Sequence, residues 1–165
     1  MKESILVVDA DPDIREIIEK LLSRDGYRVA CTDRGEEALK ILQSKSFAIV
    51  ITDIRIPDVP GMAFFKRIRQ TDDDVEIIVL SGFLTFQNVI GALRDGGVAD
   101  YLVKPLKHMD ELVNSVKKAC RKRNLRKERR AVEKEIKLRN LGLEVEIEHL
   151  RQRNRNLQPQ ISAWE

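Results

Sequence analysis

The chain has 165 residues, 42% of them hydrophobic and 35% charged, at a formal net charge of +3. That allows one core of ordinary domain size with an appended element; no apolar run approaches the roughly 18 residues of a membrane-spanning helix, and the amino-terminal run, Ile5 to Val8, is far short of a signal-peptide core. The charge is uneven: residues 1–116 carry 15 Lys/Arg against 20 Asp/Glu and residues 117–165 carry 15 against 7, so a segment at −5 precedes one at +8.

In chain order, Ser4–Val8 reads as a buried strand that stops at Asp9-Ala10-Asp11-Pro12, where Asp11 suits a helix cap and Pro12 the first turn. Ile14, Ile17, Ile18, Leu21 and Leu22 have helical spacing, closed by Asp25-Gly26. Residues 27–32 predict a strand, and 35–43 a helix with Ala38, Leu39, Ile41 and Leu42 inward. Residues 47–52 form an apolar, β-branched run that ends abruptly in the carboxylate of Asp53. Pro57, Pro60 and Gly61 break the chain before a helix over 62–69 and a strand over 75–80. A further helix is expected within 83–94, and Gly96-Gly97 turns into a last strand over 99–103. Cys31 and Cys120, far apart in sequence, have neither disulfide-framework nor metal-ligand spacing and read as reduced structural thiols of a cytoplasmic protein.

Strands alternating with helices imply an α/β fold, a five-stranded parallel sheet doubly wound by helices, because parallel neighbours need crossover connections. The expected strand order is the flavodoxin-like 2-1-3-4-5, with its switch point between strands one and three. Asp9 and Asp53 end those two strands, Ser81 ends strand four, and Lys104 ends strand five. Each alone reads most simply as a cap or a solvated loop residue; together they converge on one rim. A small-cofactor binder of the same fold is disfavoured, since no Gly-rich phosphate loop follows strand one.

The stretches Ile5-Leu6-Val7-Val8-Asp9, Val50-Ile51-Thr52-Asp53-Ile54-Arg55-Ile56-Pro57 with Gly61, Ile77-Ile78-Val79-Leu80-Ser81-Gly82 and Ala99-Asp100-Tyr101-Leu102-Val103-Lys104-Pro105 resemble the receiver domain of two-component response regulators, over roughly residues 3 to 120. The resemblance implies that Asp53 accepts a phosphoryl group from a histidine kinase or phosphotransfer protein. It further implies that Lys104 pairs with Asp53 and then with the phosphoryl group, that Ser81 follows a phosphoryl oxygen and that Tyr101 turns inward with it. Mg²⁺ would be held by Asp9, Asp53 and the backbone carbonyl of Arg55, and the Lys104-Pro105 bond would be cis. Any enzymatic activity would be limited to self-phosphorylation and slow self-dephosphorylation at Asp53. One departure stands out: strand one of such domains usually ends in two adjacent acids, the second of them a metal ligand, and position 10 here is Ala. Three readings follow: Asp11 substitutes as a ligand, the site works with weakened Mg²⁺ affinity, or the domain is a phosphorylation-independent pseudo-receiver that serves as a dimerisation scaffold.

The domain is expected to end near residue 120. Residues 121–165 form a basic and then heptad-patterned helix, frayed after about 158 by Pro159. A helix over 108–157 would be about 75 Å long. Ile136, Asn140, Leu143, Ile147, Leu150, Asn154 and Leu157 follow a and d spacing, with Asn140, Ile147 and Asn154 at a and Leu143, Leu150 and Leu157 at d, which favours a parallel homodimer. A single helix folded back on its own domain is the simpler alternative. The nine Lys/Arg of residues 117–130 invite a basic-zipper reading toward nucleic acid, set below that of a solvated face. A receiver followed by such a helix resembles the signalling helices that join receivers to output domains.

Overall fold

The computed structural model describes residues 3–82 and 97–162, with side chains to residue 156. The elements in order are β1 (Ser4–Val8), α1 (Pro12–Arg24), β2 (Arg28–Thr32), α2 (Gly35–Ser44), β3 (Ile49–Thr52), α3 (Gly61–Thr71), β4 (Glu76–Ser81), β5 (Asp100–Val103) and α4 (Met109–Ser162). The helix expected within 83–94 lies outside the described residues. Strand and helix bounds differ from the sequence expectation by one or two residues at their ends, where apolar pattern alone is least decisive.

All strands are parallel and the sheet order is β2-β1-β3-β4-β5, as expected. Because side chains alternate along a strand, each central strand feeds both faces. Leu6, Val8, Val50, Ile77 and Val79 pack with Ala38, Leu39 and Leu42 of α2 and Phe64, Phe65 and Ile68 of α3. Ile5, Val7, Ile49, Ile51, Ile78 and Leu80 pack on the other face with Ile18 and Leu22 of α1 and Leu112, Val116, Ala119 and Cys120 of α4. Two dry layers therefore clamp the sheet, which explains the near-continuous apolar strands.

Two compact units are distinguished, Met1–Asn124 and Leu125–Glu165. Near the end of the first, Arg123 is 5% exposed: its Nη1 donates to Glu3 Oε2 at 3.1 Å and its Nε to the Asp74 carbonyl at 3.1 Å. In the second unit Ile136, Leu143, Ile147 and Leu150 of the predicted seam are all exposed. Leu138, Leu141 and Val145 are exposed as well and fall on the opposite side of the helix by their spacing, a second apolar stripe that the heptad reading left out. α4 is helical through Pro159 to Ser162. Proline's fixed φ is compatible with the helix, at the loss of one backbone bond. Among the described residues no helix is long and apolar enough to cross a membrane.

Candidate functional site

Register builds the site. Val8 pairs with Thr52, Thr52 with Val79 and Ser81 with Val103, so β1, β3 and β5 release Asp9, Asp53 and Lys104 along the rim where β4 ends in Ser81. The Asp53 N–H still donates to the Val8 carbonyl at 3.2 Å, and the Lys104 N–H to the Ser81 carbonyl at 3.0 Å. Asp9 is buried, and Asp53 and Lys104 are mostly so.

The side chains meet there. Lys104 Nζ donates to Asp9 Oδ2 at 2.5 Å and to Asp53 Oδ2 at 2.9 Å. Asp53 Oδ1 accepts from Ser81 Oγ at 2.6 Å and from the Arg55 N–H at 3.1 Å, and Asp9 Oδ1 accepts from the Asp11 N–H at 3.0 Å. All four carboxylate oxygens thus have protein donors. Burial alone would raise the Asp53 carboxyl, but the Ser81 hydroxyl, the Arg55 N–H and the Lys104 amine outweigh it and hold it below the usual range. Burial opposes the charge on Lys104, and the two carboxylates nonetheless push its amine upward. Burial also raises the Tyr101 phenol, against a hydrogen bond with Ser81 and with the Asp53 charge adding to the rise. A polar chain therefore runs Tyr101, Ser81, Asp53, Lys104, Asp9. The Lys104-Pro105 bond is cis.

Asp11 does not turn toward this cluster. Its carboxylate caps α1 by accepting from the Asp13 N–H at 2.9 Å, the role its position before Pro12 suited. Among the described residues no group of three or more His, Cys, Asp or Glu is placed to hold a metal ion. Two carboxylates remain, Asp9 and Asp53. That set fits a hard cation such as Mg²⁺, which takes one or two carboxylates and completes its shell with water and substrate phosphate.

Sequence reasoning missed two residues. Arg15, one turn into α1, folds back so that Nη1 donates to the Asp9 carbonyl at 2.6 Å and the Ala10 carbonyl at 3.1 Å, fixing the loop where an acid is absent. Asp58, in the loop after Asp53, accepts from the Gly35 N–H at 2.8 Å and the Glu36 N–H at 3.0 Å. The available signal was Arg34, which precedes α2 and has no capping side chain of its own. The predicted seam residues 136–154 lie in the second unit, and the side chain of Leu157 lies outside the described residues.

A family model described as the response regulator receiver domain matches residues 5–117. The C4-dicarboxylate transport transcriptional regulatory protein DctD of Rhizobium meliloti is 32% identical over 140 residues, covering 85% of this chain and 30% of that protein. The transcriptional regulatory protein ZraR of Salmonella typhimurium is 35% identical over 118 residues, covering 72% of this chain and 26% of that protein. The chain thus spans less than a third of the length of these curated relatives. Among solved structures, the response regulator TrrA of Thermotoga maritima, in complex with Mg(2+)-BeF, superposes with a TM-score of 0.64 at 34% identity, covering 72% of this chain and 99% of that one. A receiver domain from Clostridium thermocellum gives a TM-score of 0.69 at 29% identity, covering 75% and 98%.

Proposed function

Because the chain belongs to the response regulator receiver family, we propose that Asp53 is its phosphoacceptor, taking a phosphoryl group from the phosphohistidine of a histidine kinase or phosphotransfer protein. The observation that carries this is the Lys104 ammonium placed 2.9 Å from Asp53 Oδ2, beside the Ser81 hydroxyl 2.6 Å from Oδ1. A carboxylate and an incoming phosphoryl group repel each other, so acceptance needs positioned positive charge and donors more than covalent chemistry.

An Asp53 oxygen attacks phosphorus while the phosphorus–nitrogen bond breaks, its electron pair returning to the imidazole. The product is an acyl phosphate on Asp53. Lys104 N–H and Ser81 O–H groups, already aimed at the carboxylate, transfer to phosphoryl oxygens. Asp9, Asp53 and the Arg55 carbonyl would hold Mg²⁺, which would offset further negative charge when bound. We place its affinity below that of a site with a second acid at position 10, since Ala10 contributes no ligand and every carboxylate oxygen already has a donor.

The readout we propose follows the polar chain. When Ser81 moves with the phosphoryl group its bond to Tyr101 changes, which alters the surface beside β5. The C-terminal helix pairs with a second copy through the Ile136–Leu150 seam and carries the change onward, toward a transcriptional output of the kind named for DctD and ZraR.

Acetyl phosphate treatment of the full chain, followed by intact mass and peptide mapping, tests the acceptor. One added phosphoryl group on Asp53, absent from Asp53→Ala, is expected. No label at Asp53, even in Ala10→Asp with excess Mg²⁺, would overturn the reading and leave a phosphorylation-independent scaffold.

A further inference from the structure

The loop between β3 and α3 has to hold Asp53 in place, and Asp58 ties that loop to the start of another helix. Helix α2 begins after Arg34, which offers no capping side chain, so the first N–H groups of α2 lack the usual local acceptor. Asp58 supplies it from more than twenty residues away, one carboxylate oxygen to the Gly35 N–H and the other to the Glu36 N–H. A carboxylate at a helix N-terminus meets both unpaired donors and the positive end of the helix dipole. Arg34 Nε stands 3.8 Å from Oδ2 and adds a weaker attraction. Gly35 suits the tight packing beside this loop: a Cβ there would lie 3.1 Å from Val59 Cγ2, closer than ordinary contact.

The same loop carries the Arg55 N–H that donates to Asp53 Oδ1. Between Arg55 and Asp58 the chain has little slack, because Arg55 bridges to Pro60, and Ile56 and Val59 are buried beside α2 and α3. Displacing residue 58 therefore displaces residue 55, and with it a donor on the phosphoacceptor.

We propose that Asp58 is a positioning residue for Asp53, fastening the acceptor loop to the N-terminus of α2 so that the Arg55 N–H holds one carboxylate oxygen and leaves the other for attack. Its effect on phosphoryl uptake rests on the reading of Asp53 as acceptor. Its effect on the Arg55 N–H does not.

The test uses the full chain, with Asp58→Ala, Asp58→Asn and the wild type compared in two ways. Without any phosphodonor, the amide resonance of Arg55 is expected to move in Asp58→Ala and to lie between the two in Asp58→Asn, whose side-chain oxygen can still accept from Gly35. With acetyl phosphate, Asp58→Ala is expected to lose about 10-fold in maximal labelling rate at unchanged half-saturating donor, and Asp58→Asn to recover most of it, a misplacement effect rather than a binding one. If Asp58→Ala fails to fold, the Arg55 resonance and labelling rate of Asp58→Asn decide the matter on the same scale. An Arg55 amide unmoved in folded Asp58→Ala or in Asp58→Asn, or a full labelling rate in folded Asp58→Ala, would overturn the proposal. An unlabelled wild type together with a displaced Arg55 resonance would sink the acceptor reading and leave the clamp standing.

Discussion

Lys104 Nζ and Asp53 Oδ2 lie 2.9 Å apart across the carboxyl ends of β5 and β3, and the same amine lies 2.5 Å from Asp9 Oδ2. One cation thus serves two carboxylates, and the cluster keeps a single net negative charge. Were an acid present at position 10, it would carry one more.

Removing the amine leaves two largely buried carboxylates facing each other. Lys104→Met is expected to lower the unfolding free energy by about 1–3 kcal/mol at neutral pH, below the figure for a fully buried pair because the rim is partly open. The Asp53 carboxyl is lowered on folding, so its stabilising contribution is present above the ordinary carboxylate value and lost as pH falls through the lowered one. The Lys104 amine is raised, so its contribution is present below the usual 10.5 and lost as pH rises through the raised value. Urea unfolding across pH should show a gap between wild type and variant that is flat through neutrality and narrows at both extremes. A gap undiminished once acid has protonated the lowered Asp53 carboxyl would contradict this assignment.

Ala10→Asp is expected to raise Mg²⁺ affinity about 10–100-fold by supplying the absent ligand. Titration of the Asp53 and Arg55 amide resonances with Mg²⁺ alone reads this without any phosphodonor. Equal dissociation constants in the two proteins would show that position 10 does not limit the site.

Gly61 opens α3 so close to the acceptor loop that a Cβ would stand 2.4 Å from the Ile54 carbonyl oxygen and 2.8 Å from Ile54 Cγ1. Backbone cannot yield cheaply there, so Gly61→Ala is expected to cost about 1–3 kcal/mol. The denaturation midpoint in urea checks it, and a midpoint within error of wild type counts against the close approach.

Ile147 and Leu141 lie about 120° apart around α4, one on the seam and the other off it, and both are exposed. If the seam pairs two copies, Ile147→Glu should reduce the mass measured by light scattering from two chains to one, while Leu141→Glu leaves it at two. Neither change should disturb the receiver unit, because each replaces an exposed side chain of the second unit. A reversal of the two results would move the pairing surface to the Leu138, Leu141 and Val145 stripe.

The sheet order could be read from the chain because Ile5–Val8, Ile49–Thr52 and Ile77–Leu80 are apolar on both faces, a pattern only a covered parallel sheet rewards. Asp9, Asp53, Ser81 and Lys104 were visible for the same reason: each is the first polar residue after such a run. Arg15 and Asp58 were not, because their partners are backbone groups, which leave no trace in composition or spacing. Asp58 could have been sought only through a deficit elsewhere, the uncapped start of α2. The opposite stripe of α4 escaped because a heptad template, once fitted to Leu143 and Ile147, assigns Leu138, Leu141 and Val145 to outward positions without asking why they are apolar.

Leu112, Val116, Ala119 and Cys120 cover one side of the sheet, and Arg123 closes the layer by reaching back to Glu3. All five strands therefore precede the helix that completes this layer, and until it docks only Ile18 and Leu22 of α1 cover that side. Ile5, Ile49 and Ile78 gain the last of that cover only when the turns before Asn124 dock, so a strand made before the helix waits for it to be fully sealed.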